Sequence, residues 1–214
     1  LNKQLEELKE LSEIGMSQNL LLNGNCYGAA SLSRSFYSQI GDLIDQLSAE
    51  ISLNSITTSS PVIAKFVKQN FPELEVRASV NMEIGTPEGI EYLSDIMDGF
   101  YVKREMNRHI AEVSKFAEVC HKIGKKVFLL ANSGCLNHCS VRNFHDNLVS
   151  HEIEIMRMDN AYSFRGVCRE FLNTPEMRRR ILQLSNWICP NDLWRYENLV
   201  DGIKLATRVS ENPE

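Results

Sequence analysis

The chain has 214 residues, 43% hydrophobic and 24% charged, with a formal net charge of -5. That content builds one good core, its acidic balance gives no broad cationic field for a phosphate backbone, and no apolar run approaches the roughly 18 residues of a membrane helix. Six cysteines are far below the density of a disulfide-stapled secreted domain, so reduced thiols in a cytoplasmic setting are expected.

Leu5, Leu8, Leu11 and Ile14 recur at helical spacing with Gly15 as a stop, which predicts a helix over residues 1–15. The chain thus starts at Leu1 in mid-helix without an initiator methionine, as a trimmed or processed protein would. Asn19 to Leu22 reads as a strand. The turn-rich Asn23-Gly24-Asn25-Cys26-Tyr27-Gly28 follows it, then a helix carrying Phe36, Ile40, Leu43, Ile44 and Leu47.

The unit then repeats, with Ser55 to Thr58 as strand, Ser60-Pro61 opening a helix from Val62 to Phe71, and Leu74 to Val80 as strand. Thr86-Pro87-Glu88 opens a helix to about Met97, Phe100 to Lys103 is a strand, and Ile110, Val113, Phe116, Cys120 and Ile123 stripe a helix stopped by Gly124. Val127 to Ala131 is the next strand. Between Asn132 and about Pro175 the alternation breaks into a polar stretch with three histidines and three cysteines. It resumes with the helix Glu176 to Leu184, the strand Trp187 to Cys189, the helix Asp192 to Leu199 and the strand Gly202 to Ala206.

Seven strands joined through helices are the signature of successive βαβ units in a parallel sheet. The expected fold is α/β, a (β/α)8 TIM-type barrel lacking its first strand and last helix in this chain. It forms one domain over residues 1–214 with an elaborated cysteine- and histidine-rich loop at about 132–175. A doubly wound open sheet is the alternative.

Parallel barrels react at the C-terminal ends of their strands, and the cysteines gather there. Cys26 follows the first strand, Cys135 and Cys139 follow the strand ending at Ala131, Cys168 lies in the loop beyond, and Cys189 ends the next strand. Cys120, on an apolar helix stripe, reads as core. Thiolates converging from several loops suit an iron–sulfur cluster or zinc, and His138, His145 and His151 beside the C-x3-C pair keep zinc open. The same thiols also suit simple packing near the mouth.

Arg77 and Asn81, Lys103 and Arg104, Asn107 and Arg108, and Lys204 and Arg208 stand at strand ends, where forks and ammonium groups bind a small anionic substrate. A solvated rim is the plainer account of them. His145-Asp146 and His151-Glu152 are candidate proton-handling pairs, and Arg178-Arg179-Arg180 is a candidate RNA contact or simply a helix's wet face. No H-E-x-x-H helix, G-x-S-x-G elbow, P-loop or dinucleotide fingerprint is present.

Asn132-Ser133-Gly134-Cys135-Leu136-Asn137-His138-Cys139, followed by Phe144-His145-Asp146-Asn147, resembles the collagenase-like peptidase family U32. Leu21 to Gly28, Asn107-Arg108, Trp187 to Leu193 and Ile203 to Arg208 resemble the same family, so the likeness spans nearly the whole chain. It implies a barrel and, as in several members, a four-iron four-sulfur cluster on four cysteines of the active face. Better-understood relatives assist oxygen-independent hydroxylation of a ubiquinone precursor or of a base in transfer or ribosomal RNA, with prephenate implied as oxygen donor in some. Others are named as collagen-degrading peptidases.

The family's longer cysteine signature is not matched, and its usual Ile-Arg-Pro-Glu-Asp-Leu stands here as Ile188-Cys189-Pro190-Asn191-Asp192-Leu193. The resemblance therefore implies Cys26, Cys135, Cys139 and Cys168 as cluster ligands, with Cys189 in reserve. Arg77, Lys103, Arg108, His145 and Lys204 are the candidates for holding or working on a small anionic substrate. The expected function is an iron–sulfur protein supporting oxygen-independent hydroxylation of a small molecule or RNA base. A collagenase-like peptidase, a zinc protein and a non-enzymatic subunit paired with a second family member are the alternatives.

Overall fold

The computed structural model describes residues 2–161 and 166–206. Six parallel strands stand in sequence order in one sheet: β1 (Gln18–Leu22), β2 (Leu53–Thr58), β3 (Glu75–Ala78), β4 (Gly99–Tyr101), β5 (Lys126–Leu130) and β6 (Gly202–Lys204). The registers Leu22↔Thr58, Thr58↔Ala78, Ala78↔Phe100, Tyr101↔Phe128 and Leu130↔Lys204 bring the C-terminal ends to one edge. The sheet curls into half a barrel. Sequence-order pairing of parallel strands is the winding that leads to a barrel, whereas a doubly wound sheet reverses its order at a switch point.

Local chemistry sets the helix starts. Among α1 (Asn2–Glu13), α2 (Arg34–Glu50), α3 (Pro61–Asn70), α4 (Pro87–Glu91) and α5 (Ile110–Lys122), three begin on hydroxyl caps. Ser33, Ser60 and Thr86 accept the amides of Phe36, Ile63 and Gly89, and proline stands at the start of α3 and α4. No helix among the described residues is long and apolar enough to cross a membrane.

The two faces of the sheet differ. On the convex face Ile56, Val76, Ala78, Phe100, Val127 and Leu129 pack with Ile44, Ile63, Val67, Ile90, Val113 and Phe116 into the main core. Each large side chain buried there stabilises the fold by about 1.5–3 kcal/mol. The concave face is polar: Asn19 Nδ2 donates to Ser55 Oγ at 2.6 Å, Thr57 Oγ1 donates to Asn19 Oδ1 at 3.0 Å, and Arg77 and Lys126 pair with Glu75. Tyr101, Phe128 and Leu130 form a small apolar layer among them.

Trp187 to Cys189 is not a strand. Ile188 N–H reaches only Ala131 C=O, at the rim, and Pro190 follows at once, while β6 already occupies the ladder beside β5. Asp192 to Leu199 is likewise not an α-helix, since residues Pro190–Tyr196 wind as a 3-10 helix. The helix expected to reach Met97 stops at Glu91. The expected loop at 132–175 contains α6 (Arg142–Ser150), α7 (Glu152–Ile155) and α8 (Val167–Phe171), and α9 (Pro175–Leu184) follows.

Phe128 occupies the concave face between two glycines. A Cβ on Gly99 would lie 2.6 Å from Phe128 Cε2, and one on Gly202 would lie 2.9 Å from Phe128 Cδ1. Gly99→Ala is expected to cost about 1–3 kcal/mol by overpacking, read as a lowered midpoint in urea denaturation. An unchanged midpoint would mean that the ring turns aside freely.

Candidate active site at the strand ends

The mouth is built from the loops that follow β1 to β5. Asn81, after β3, donates through Nδ2 to Asn23 C=O at 3.1 Å, and Arg104, after β4, donates to Asn81 Oδ1 at 2.6 Å. One amide thus links three loops. Arg104 is 8% exposed, and among the described residues its Nε and Nη1 have no hydrogen-bond partner. Beside it Arg142, at the start of α6, pairs with Glu83 at 3.1 Å and with Glu105.

Burial raises the Glu105 carboxyl, but the hydrogen bond and charge of Arg142 outweigh it and hold the group below the ordinary carboxylate value. Burial likewise opposes the charge on Arg142, and Glu105 and Glu83 more than restore it. The pair stays ionised because each group supplies what the other lost on leaving water.

On the β1 side, Ser150 at the end of α6 accepts the Asn25 amide at 2.9 Å, and Ser59 donates to Gly24 C=O. This brings His151 beside Cys26. The Cys26 sulfur accepts the Gly28 N–H at 3.4 Å, while His151 Nδ1 lies 2.9 Å from Glu154 Oε2. The Gly28 hydrogen bond first, and His151 second, hold the Cys26 thiol below its ordinary value; Cys26 first, and Glu154 second, raise His151.

The other expected residues fall as follows. Arg77 lies on the concave face, 2.5 Å from Glu75 and with its guanidinium carbon 4.2 Å from the Phe128 centroid. Lys204 stands 5.6 Å from the Tyr101 ring centre. Lys103 lies beside Gly85, and His145 is half-buried on α6. Arg108 donates to the carbonyls of Leu182 at 2.8 Å and Gln183 at 3.3 Å, so it closes the end of α9. Asn107 is buried and donates to Leu130 and Asn186 carbonyls across the mouth. Arg208 lies outside the described residues.

Cys135 is exposed, Cys26, Cys139, Cys168 and Cys189 are half-buried, and Cys189 lines a cavity of about 360 Å³ with Arg108, Trp187 and Tyr196. Among the described residues no three side chains of His, Cys, Asp or Glu are grouped as metal ligands. Cys120 is fully buried on α5 with its thiol pushed up to about 12 by burial, as a core residue should be.

No family model matches the chain, and no curated protein does. Among solved structures the U32 peptidase Mk0906 is similar at 18% identity, with a TM-score of 0.70 over 100% of this chain and 78% of that one. The fold is like that of a U32 peptidase.

The sequence paired His151 with Glu152, whereas the ring nitrogen Nδ1 lies 2.9 Å from Glu154 Oε2, three residues on. The spacing of His151 and Glu154 is visible as a helical i,i+3 pair, but the approach of Ser150 to the Asn25 N–H across the mouth carries no sequence signal.

Arg142→Met would leave Glu83 and Glu105 without their cation and is expected to cost about 3–5 kcal/mol near pH 7 by denaturation. Glu105 contributes its share fully above the ordinary carboxylate value of 4.5 and loses it as pH falls through the lower folded value. The gap between the two proteins should therefore narrow in acid, and a constant gap would show that Glu105 is not the partner that matters.

Proposed function

We propose that this chain is a hydrolase of the peptidase type, which works at the strand-end mouth on a peptide or peptide-like substrate and holds it through a carboxylate. Arg104 carries the reading. The residue is 8% exposed, spends one hydrogen bond on Asn81, and leaves Nε and Nη1 without a partner among the described residues. Desolvated donors with no acceptor cost free energy that an anion recovers, and a cation so placed is weakly screened toward charge entering the mouth. The likeness to a U32 peptidase supports the reaction class.

The competing reading keeps Cys26, Cys135, Cys139 and Cys168 as ligands of a four-iron four-sulfur cluster that supports oxygen-independent hydroxylation. It is favoured by their position in the chain, Cys26 directly after β1 and the other three in the segment between β5 and β6.

Incubation with gelatin and with denatured protein separates the two. The hydrolase releases peptides, and Arg104→Gln lowers kcat/KM roughly ten- to a hundredfold, mostly through KM, by the worth of hydrogen bonds to a charged group. A folded wild-type protein that cleaves nothing overturns the reading. Iron and acid-labile sulfide in anaerobically purified protein, lost with Cys135→Ser, supports the cluster.

A further inference from the structure

We propose that the cavity between α4 and α5, on the outer side of the half-barrel, binds a free apolar α-amino acid, with its side chain inside, its ammonium on Glu112 and its carboxylate on Lys115. The assignment does not rest on the hydrolase reading of the mouth.

The fold leaves this space open for a local reason. α4 has five residues against thirteen in α5, so it covers only part of the α5 face turned toward it. The gap is a cavity of about 280 Å³, walled by Pro87 and Ile90 of α4, Met106 in the loop after β4, and Phe116 and Val119 of α5. Ile90 is fully buried and Phe116 and Met106 nearly so, which makes the floor apolar. Gly85 lines one side without a side chain; a Cβ there would lie 3.3 Å from Lys103 Cδ and 3.6 Å from Met106 Sδ, so any larger residue would press on both. The hydroxyl on the wall, Thr86 Oγ1, already accepts the Gly89 amide.

Two opposite charges stand at the rim. Glu112 and Lys115 line the same cavity, are both exposed, and sit three residues apart on α5, on the helix face that also carries Phe116 and Val119. Among the described residues neither side chain has an ion pair or hydrogen bond, to the other or to a third group. Neighbours at this spacing have Cβ atoms about 5–6 Å apart. An α-amino acid carries its ammonium, carboxylate and side chain on a single carbon, so two charges at that spacing meet both termini while the side chain points inward.

Size and charge together select the class. Small-molecule sites run from roughly 300 to 1,000 Å³, so this cavity has room for one residue rather than a peptide. Apolar burial supplies the affinity, because the floor offers carbon and sulfur surface and the one hydroxyl beside it is already engaged. The exposed charges add little and set which end faces which way. A fatty acid or a simple amine meets one rim charge and leaves the other facing an apolar ligand, whereas a zwitterion meets both.

Isothermal titration calorimetry on the whole chain tests this with L-leucine, glycine, N-acetylleucine and leucine amide. Leucine binds saturably at one site. Glycine, with the same two charges and no side chain, binds roughly tenfold or more weakly, by the burial it forgoes. N-acetylleucine, without the ammonium, and leucine amide, without the carboxylate, each lose roughly two- to fivefold, the scale of an exposed ion pair. Val119→Trp, at a half-buried position on the wall, fills the space and removes leucine binding. Glu112→Gln and Lys115→Gln change exposed side chains and keep the fold intact. The first weakens leucine and leaves N-acetylleucine where it was, and the second weakens leucine without weakening leucine amide.

No binding at millimolar leucine, glycine bound as tightly as leucine, or affinities unmoved by both rim variants overturns the proposal. Self-association of the chain that Val119→Trp abolishes and leucine does not disturb overturns it as well, and makes the cavity a contact between copies.

Discussion

The mouth of this half-barrel depends on one buried cation. Arg142 is 6% exposed and reaches Glu83 in the loop after β3, Glu105 in the loop after β4, and more weakly the Leu136 carbonyl in the loop after β5. Removing a guanidinium from water is costly, and the cost is recovered only while both carboxylates stay in place. Three loops that are distant in sequence are thereby held in one arrangement. Because Arg142 is also the first residue of α6, the same contact sets where that helix begins and hence where its far end, Ser150 and His151, meets the β1 loop.

Beneath the mouth, the barrel interior is filled in an unusual order. Polar side chains of β1, β2 and β3 satisfy one another by hydrogen bonds and ion pairs, and the aromatic layer of Tyr101 and Phe128 lies beside them. Arg77 shows how the two halves meet, since its guanidinium pairs with Glu75 on its own strand and lies over the Phe128 ring of β5. Its charge is spent inside the barrel. Arg104, in the loop after β4, keeps two buried donors, Nε and Nη1, without an acceptor among the described residues.

The Arg104 side of the mouth is tied to the loop after β1 by one side-chain amide. Asn81 joins Arg104 to the Asn23 carbonyl, three residues before Cys26.

By itself the sequence determined the alternation of strands and helices, the hydroxyl–proline helix starts at Ser60 and Thr86, and the placing of cysteines and cations after strand ends, because these depend on periodicity and local hydrogen bonding. Propensity read Trp187 to Cys189 as a strand, but the ladder position beside β5 goes to β6, and competition for one edge is a tertiary matter. The same holds for the site. That Arg108 closes a helix, that Arg77 is neutralised inside the barrel, and that Ser150 meets the Asn25 N–H across 125 residues all follow from which loops the curled sheet brings together. Side-chain identity sets what a residue is able to do; only the approach of distant segments, fixed here by buried charge and a single serine clamp, decides which partner it does it with.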